Sequence, residues 1–132
     1  ELELQYRDPS MTMWDACEAE VDRLVNEIRS RDQAMVEMSP SRERVVPVTM
    51  DATLRVHLAS AAQNHTPGQW VEMPSGAYHD AGVMAALLPT AMLFIPSIGG
   101  VSHDFSENSH DEDIVIGCQV LADATAAMLL DN

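Results

Sequence analysis

The sequence contains no lysine. All seven basic residues are arginines, and 21 acidic residues give a formal net charge of -14. The absence of lysine excludes Schiff-base catalysis by a lysine amine and the lysine of a phosphate-binding loop. A strongly negative chain without a basic stripe repels phosphate backbones, so we expect no binding to nucleic acid.

Cysteine is scarce, and no uninterrupted apolar run is long enough to span a bilayer. Cys17 and Cys118 form no Cys-x-x-Cys pair, and each falls on the apolar face of a predicted helix, which indicates buried thiols in a reducing compartment. No secretory leader opens the sequence, so we expect a cytoplasmic protein without a membrane partner. Hydrophobic residues make up 46% of the 132, which favours a folded core over disorder.

Apolar periodicity predicts an α/β chain with short strands and longer helices. Strands are expected at residues 1–7, 34–38, 70–73 and 91–95. Helices are expected around the apolar stripes at 13–28, 50–61, 78–87 and 114–128, with N-caps at Thr12, Thr49 and Ser109. The stripe expected to face inward in the last helix consists of Ile114, Cys118, Leu121, Thr125 and Met128.

A boundary between two regions is expected at Ser39–Pro47, which holds two prolines and mixed charges. It separates a strand–helix–strand unit, residues 1–46, from alternating strands and helices, residues 47–132. Neither half closes a sheet by itself.

Three residues are candidates for a functional site. His79 and His103 each follow a glycine-containing turn after a predicted strand, where histidines ligate zinc or polarise a carbonyl. Arg7 ends the first predicted strand, and its guanidinium suits bidentate capture of a carboxylate. The alternatives are surface histidines bonded to their own loops and a rim arginine paired with one of many acids.

Two motifs and the helix that follows them resemble one enzyme family. The motifs are PSGAYHDAGVMA and PTAMLFIPSIGGVSHDFSEN, and the helix is DIVIGCQVLADATAAML. They resemble the zinc-dependent N-carbamoyl-amino-acid amidohydrolases, which include L-carbamoylases, allantoate amidohydrolase and β-ureidopropionase and are related to the dinuclear zinc aminoacylase-like peptidases. The opening QYRDP resembles a strand of that family's lid domain. His103 follows His79 by 24 residues, and this paired signature makes the resemblance specific.

The resemblance implies a fold and a set of site residues. Residues 1–46 would be the second half of an α+β lid and dimerisation domain, and residues 47–132 the C-terminal part of an aminoacylase-like zinc-hydrolase catalytic domain. His103 would ligate a metal, His79 would be a catalytic residue that contacts the substrate, and Arg7 would bind the substrate carboxylate. The loop residues implied with them are Ser75, Gly76 and Gly100.

The resemblance also implies an activity and partners. A metal-activated water would hydrolyse the carbamoyl C–N bond of an N-carbamoyl amino acid or ureido acid, with zinc as the first choice of metal and manganese, cobalt or nickel as alternatives. A homodimer would form through the lid. The family's other metal ligands and its catalytic glutamate would precede Glu1, so we expect an incomplete metal site and a chain that is inactive by itself.

One departure and two alternatives accompany this interpretation. Asp104-Phe105 stands where the family has Asn or Ser with Pro, which leaves the substrate subclass open. The first alternative is a non-catalytic α/β dimerisation or remnant module. The second is an aminoacylase-like peptidase, a branch that lacks this pair of motifs.

Overall fold

The computed structural model describes residues 2–32, 35–39 and 45–131, and the regular structure in these ranges is helical. The elements are α1 (Met11–Asp32), α2 (Ala52–His65), α3 (Asp80–Met84), a 3-10 turn (Ile98–Gly100) and α4 (Asp111–Leu130). The chain divides into two compact units. The first comprises Glu1–Val48 with Pro74–Ala77, and the second comprises Thr49–Met73 with Tyr78–Asn132.

The predicted helices are present, but the predicted strands do not form in the described residues. The parts of the four expected strands that are described are 2–7, 35–38, 70–73 and 91–95, and they lie outside regular structure. A strand exists only through backbone pairing with a neighbouring strand, and the described residues supply no such ladder. The α/β prediction is therefore wrong in its strands. Residues 1, 34 and 40–44, where parts of the first two strands and of the boundary were expected, lie outside the described residues.

The first unit contains α1, which begins two residues before the predicted stripe. The Ser10 hydroxyl oxygen accepts the N–H of Met13 at 3.4 Å, so Ser10 rather than Thr12 caps the helix. Thr12 lies inside the first turn. The indole Nε1 of Trp14 donates to the carbonyl of Asp8 at 2.8 Å, which fixes the chain leading into α1.

The second unit is built on the contact between α2 and α4. Asp51 caps α2, because its carboxylate accepts the N–H of Leu54 at 2.9 Å, and the predicted cap Thr49 lies two residues too early. α3 runs over five residues, shorter than the predicted helix at 78–87. The buried residues between α2 and α4 are Ala61, Ala62, Val120 and Ala124, with Leu58, Ile116 and Met128 packed beside them.

Met128 packs beside the core as predicted, but the rest of the α4 face that enters the core differs from the predicted one. Val120 and Ala124 are buried, whereas Ile114, Leu121 and Cys118 are exposed. The prediction failed because α4 is apolar around most of its circumference, so periodicity does not select a face and the contact with α2 does. The expectation of buried thiols is thus wrong for Cys118, and Cys17 is half-buried.

The N-terminus of α4 also departs from the predicted capping box. His110 occupies the N-cap and makes no capping hydrogen bond with its side chain. The hydroxyl of Ser109 donates instead to the carbonyl of Pro96 at 2.7 Å. Among the described helices, α4 is long and apolar enough to cross a membrane by length and composition. A single helix of this kind does not by itself indicate a membrane protein, and part of its apolar surface is buried against α2.

Candidate functional site

Arg7 lies in the first unit, where two uncharged oxygen atoms hold its guanidinium. Nη1 donates to the carbonyl of Gly76 at 2.6 Å, and Nη2 donates to the side-chain carbonyl of Gln5 at 3.3 Å. The predicted loop residues Ser75 and Gly76 therefore lie beside Arg7, and the hydroxyl of Ser75 accepts the N–H of Ala77 at 3.2 Å. Within the described residues, Arg7 contacts neutral acceptors rather than a carboxylate, which leaves its charge available to an anion.

His79 lies in the second unit at the N-cap of α3. Its carbonyl accepts the N–H of Gly82 at 2.9 Å, and its side chain makes no capping hydrogen bond. The imidazole is half-buried and meets the ring of Phe94, with 5.5 Å between ring centroids and 56° between the planes. The ring of Phe94 therefore borders one side of this imidazole.

His103 lies on a loop of the second unit whose two ends are tied together. Near its ends, the N–H of Ile98 donates to the carbonyl of Asn108 at 2.7 Å, beside the bond from Ser109 to Pro96. Gly99 and Gly100 follow with φ values of 68° and 69°, a left-handed backbone that glycine adopts without strain. The loop is thus closed at its base and sharply turned before it reaches His103.

The tip of this loop is held by its own side chains. His103 is exposed, and its N–H donates to the Glu107 carboxylate at 2.8 Å. One carboxylate oxygen of Asp104 accepts both the hydroxyl (2.7 Å) and the N–H (2.9 Å) of Ser106. These two hydrogen bonds, the hydroxyl's first, lower the pKa of Asp104 below its ordinary value.

The described residues do not form a metal centre. They contain no group of three His, Cys, Asp or Glu side chains arranged to hold an ion, and His103 by itself supplies one imidazole. A protein metal site needs at least three protein ligands, so the donor set in the described residues does not fit a complete centre. A surface depression of about 370 Å³ at the start of α4 includes none of the predicted site residues. Its lining is Ile98, Asn108, Ser109, His110, Asp111 and Glu112.

Three residues that contact the predicted site were missed by the sequence analysis. Gln5 precedes Arg7 by two residues in the alternating pattern, and Glu107 follows His103 by four residues on the same loop. Both spacings are visible in the sequence. Phe94 lies in an apolar run predicted to be buried, and no local signal distinguishes it from its neighbours.

Residues 9–127 match the profile of Peptidase family M20/M25/M40. The chain belongs to this family. A crystal structure of an amidase of the hydantoinase/carbamoylase family from Burkholderia phymatum is similar to this M20-family chain, with a TM-score of 0.82 and 40% sequence identity. The match covers 92% of this chain and 28% of that one.

Two curated relatives with related names are also similar to this chain. Allantoate amidohydrolase from Escherichia coli (strain K12) is 40% identical over 76 residues, 58% of this chain and 18% of the relative. N-carbamoyl-L-amino acid amidohydrolase from Geobacillus stearothermophilus is 28% identical over 123 residues, 92% of this chain and 27% of the relative. The family resemblance inferred from the motifs is therefore confirmed. The chain spans less than a third of these relatives, and the roles of Arg7, His79 and His103 stay predictions.

Proposed function

We propose that this M20-family chain is part of an amidohydrolase that cleaves the carbamoyl C–N bond of N-carbamoyl amino acids or related ureido acids. The observation that supports the proposal is the similarity, at 40% identity over 92% of the chain, to an amidase of the hydantoinase/carbamoylase family. The alternative of a non-catalytic module gains no support from relatives that are themselves named amidohydrolases.

Arg7 binds the substrate carboxylate in this proposal. Its guanidinium carries five N–H donors, and the carbonyl of Gly76 and the side chain of Gln5 occupy two of them. The remaining donors keep the fork geometry that suits a carboxylate. An N-carbamoyl amino acid has one carboxylate beside a neutral ureido group, so a fixed guanidinium selects and orients it.

His79 contacts the substrate near the scissile amide in this proposal. Attack on the carbamoyl carbon places negative charge on its oxygen, and a held imidazole N–H stabilises such charge by hydrogen bonding. The contact with Phe94 limits the orientations of the imidazole before substrate arrives, which lowers the cost of reorganisation.

His103 supplies one ligand to a divalent metal in this proposal, and the remaining donors come from residues outside this chain. Zinc is the first choice, with manganese, cobalt and nickel as alternatives. We expect the isolated chain to be inactive for this reason. The proposal also includes two regions, a lid at residues 1–46 and a catalytic region at 47–132. It further includes a homodimer that forms through the lid and a cytoplasmic location.

The test is ammonia release from allantoate and from N-carbamoyl-L-amino acids by the whole gene product that contains this chain, loaded with zinc. We expect His103→Ala to lose one metal equivalent and nearly all turnover, while His110→Ala, an exposed histidine on the same loop, keeps both. If the wild-type protein turns over none of these substrates, the proposed function is wrong. Unchanged metal content in His103→Ala would overturn the ligand assignment alone.

A second pair of variants tests the carboxylate site. Arg7→Gln should raise KM for carboxylate substrates by about 30-fold, since a charged bidentate contact contributes about 2 kcal/mol. Arg23→Gln is the control, because Arg23 is bound to Glu20 and Glu27 on the surface of α1. If the two variants have equal KM values, Arg7 does not bind the substrate carboxylate and its role is structural.

A further inference from the structure

His103 has a backbone conformation that a residue with a side chain rarely adopts. Its φ of 59° is the one positive value at a non-glycine position in the described ranges. A Cβ atom makes the left-handed region unfavourable, so such a conformation persists where surrounding contacts hold it. Gly99 and Gly100 reach similar φ values without that cost.

The contact that holds His103 comes from Glu107. The Glu107 carboxylate accepts the His103 N–H at 2.8 Å, and hydrogen bonds to a charged acceptor are stronger than neutral ones. The backbone of Glu107 is held in the same turn, because its N–H donates to the carbonyl of Asp104 at 3.0 Å. The carboxylate of Asp104 is bound to Ser106, which leaves Glu107 to hold the N–H of His103.

We propose that Glu107 is a positioning residue for His103. By holding the N–H it keeps the backbone left-handed, and the backbone conformation sets the direction in which the Cα–Cβ bond and the imidazole leave the loop. Without the carboxylate, the backbone relaxes to negative φ and the imidazole swings away. The use of that direction in hydrolysis rests on the proposed function, whereas the link between Glu107 and the backbone does not.

The structural test uses nuclear magnetic resonance on the 132-residue chain. Glu107→Ala removes the acceptor, Glu107→Gln keeps a neutral acceptor of the same length, and Glu112→Gln removes a charge from the first turn of α4 as a control. We expect amide exchange at His103 to accelerate about tenfold in Glu107→Ala, with a change in its HN–Hα coupling constant. Glu107→Gln should retain the wild-type coupling, and Glu112→Gln should match wild type in both measurements.

Two results would overturn the proposal. One is an unchanged coupling and exchange rate at His103 in Glu107→Ala, and the other is an equal change in Glu112→Gln. The amide signals of α2 and α4 report whether each variant remains folded.

A kinetic test separates this proposal from the proposed function. In the whole gene product loaded with zinc, Glu107→Ala should lower kcat for a ureido substrate at least tenfold with little change in KM, and Glu107→Gln should restore most of it. If the wild-type protein turns over no such substrate while the resonance changes appear as expected, the proposed function fails and the positioning role stands. An unaltered kcat in Glu107→Ala would overturn the positioning role.

Discussion

The imidazole Nε2 of His65 lies 2.7 Å from a carboxylate oxygen of Asp123, which joins the last residue of α2 to the middle of α4. Eight residues earlier on α2, His57 Nε2 lies 3.6 Å from the carboxylate of Asp131, just beyond the end of α4. The two contacts run in opposite order along the two helices, as antiparallel packing requires. They lie at the edge of a core made of small side chains, where polar contacts help to fix the register.

We therefore expect His65 and Asp123 to be energetically coupled. Removing either side chain with alanine should destabilise the chain, and a double-mutant cycle should give a coupling energy of about 0.5 to 1 kcal/mol, because the pair is only partly shielded from solvent. Urea denaturation measures each variant. The matched cycle on Arg55 and Glu72, an exposed pair 3.7 Å apart, should give a smaller value. If the effects of the two single substitutions on the free energy of unfolding simply add in the double variant, the prediction is wrong.

Gly117 on α4 is required by close packing against Ile95. A Cβ at position 117 would lie 2.5 Å from Cγ2 of Ile95, which is closer than two non-bonded carbon atoms approach each other. Gly117→Ala should therefore destabilise the chain by about 1 to 3 kcal/mol. Gly82→Ala is the control, since a Cβ there meets nothing within 4 Å and helix propensity favours alanine. In an Ile95→Ala background the cost of Gly117→Ala should shrink, and an undiminished cost would show that Ile95 is not the cause.

The structure and the sequence prediction differ in the residue that caps α2, which is Asp51 in the structure and Thr49 in the prediction. Asp51→Ala should cost about 1 kcal/mol of stability because the N–H of Leu54 loses its acceptor, while Asp51→Asn should keep most of it. Thr49→Ala, at the residue favoured by the sequence pattern, should change the thermal midpoint little. If the Thr49 variant proves the more costly of the two, the helix begins where the pattern placed it.

The pKa of Glu20 on α1 lies below its ordinary value, chiefly because the guanidinium of Arg23 donates a hydrogen bond to it. With the folded pKa below the unfolded one, the contribution of this pair to stability is present above about pH 4.3 and is lost as pH falls through the lowered pKa. Arg23→Gln should raise the pKa of Glu20, as measured by a carboxyl-carbon titration. Arg29→Gln should leave it in place, because Arg29 donates to the carbonyl of Val36 and to Asn26 instead.

Local sequence was sufficient to locate the helices and to identify the family. Apolar spacing located α1, α2 and α4 because helix formation depends on residues a few positions apart. The two motifs that contain His79 and His103 identified the family because their order and spacing are properties of the sequence itself. The turn at Gly99 and Gly100 was likewise visible, since positive φ values select glycine.

Tertiary contacts decided the rest. Thr49 and Ser109 carry side chains able to cap, yet Asp51 caps α2 and Ser109 bonds to Pro96, because the local path of the chain determines which oxygen meets a free N–H. The expected strand at 91–95 has no neighbour to pair with in the described residues.

Sequence by itself thus determined where α4 lies and that its residues are mostly apolar, because both follow from composition and short-range spacing. Only the tertiary structure decided that Val120 and Ala124 face inward while Leu121 remains exposed. It alone assigned the N–H of His103 to Glu107. Burial and hydrogen bonding depend on which groups meet in space, and a one-dimensional pattern leaves that choice open.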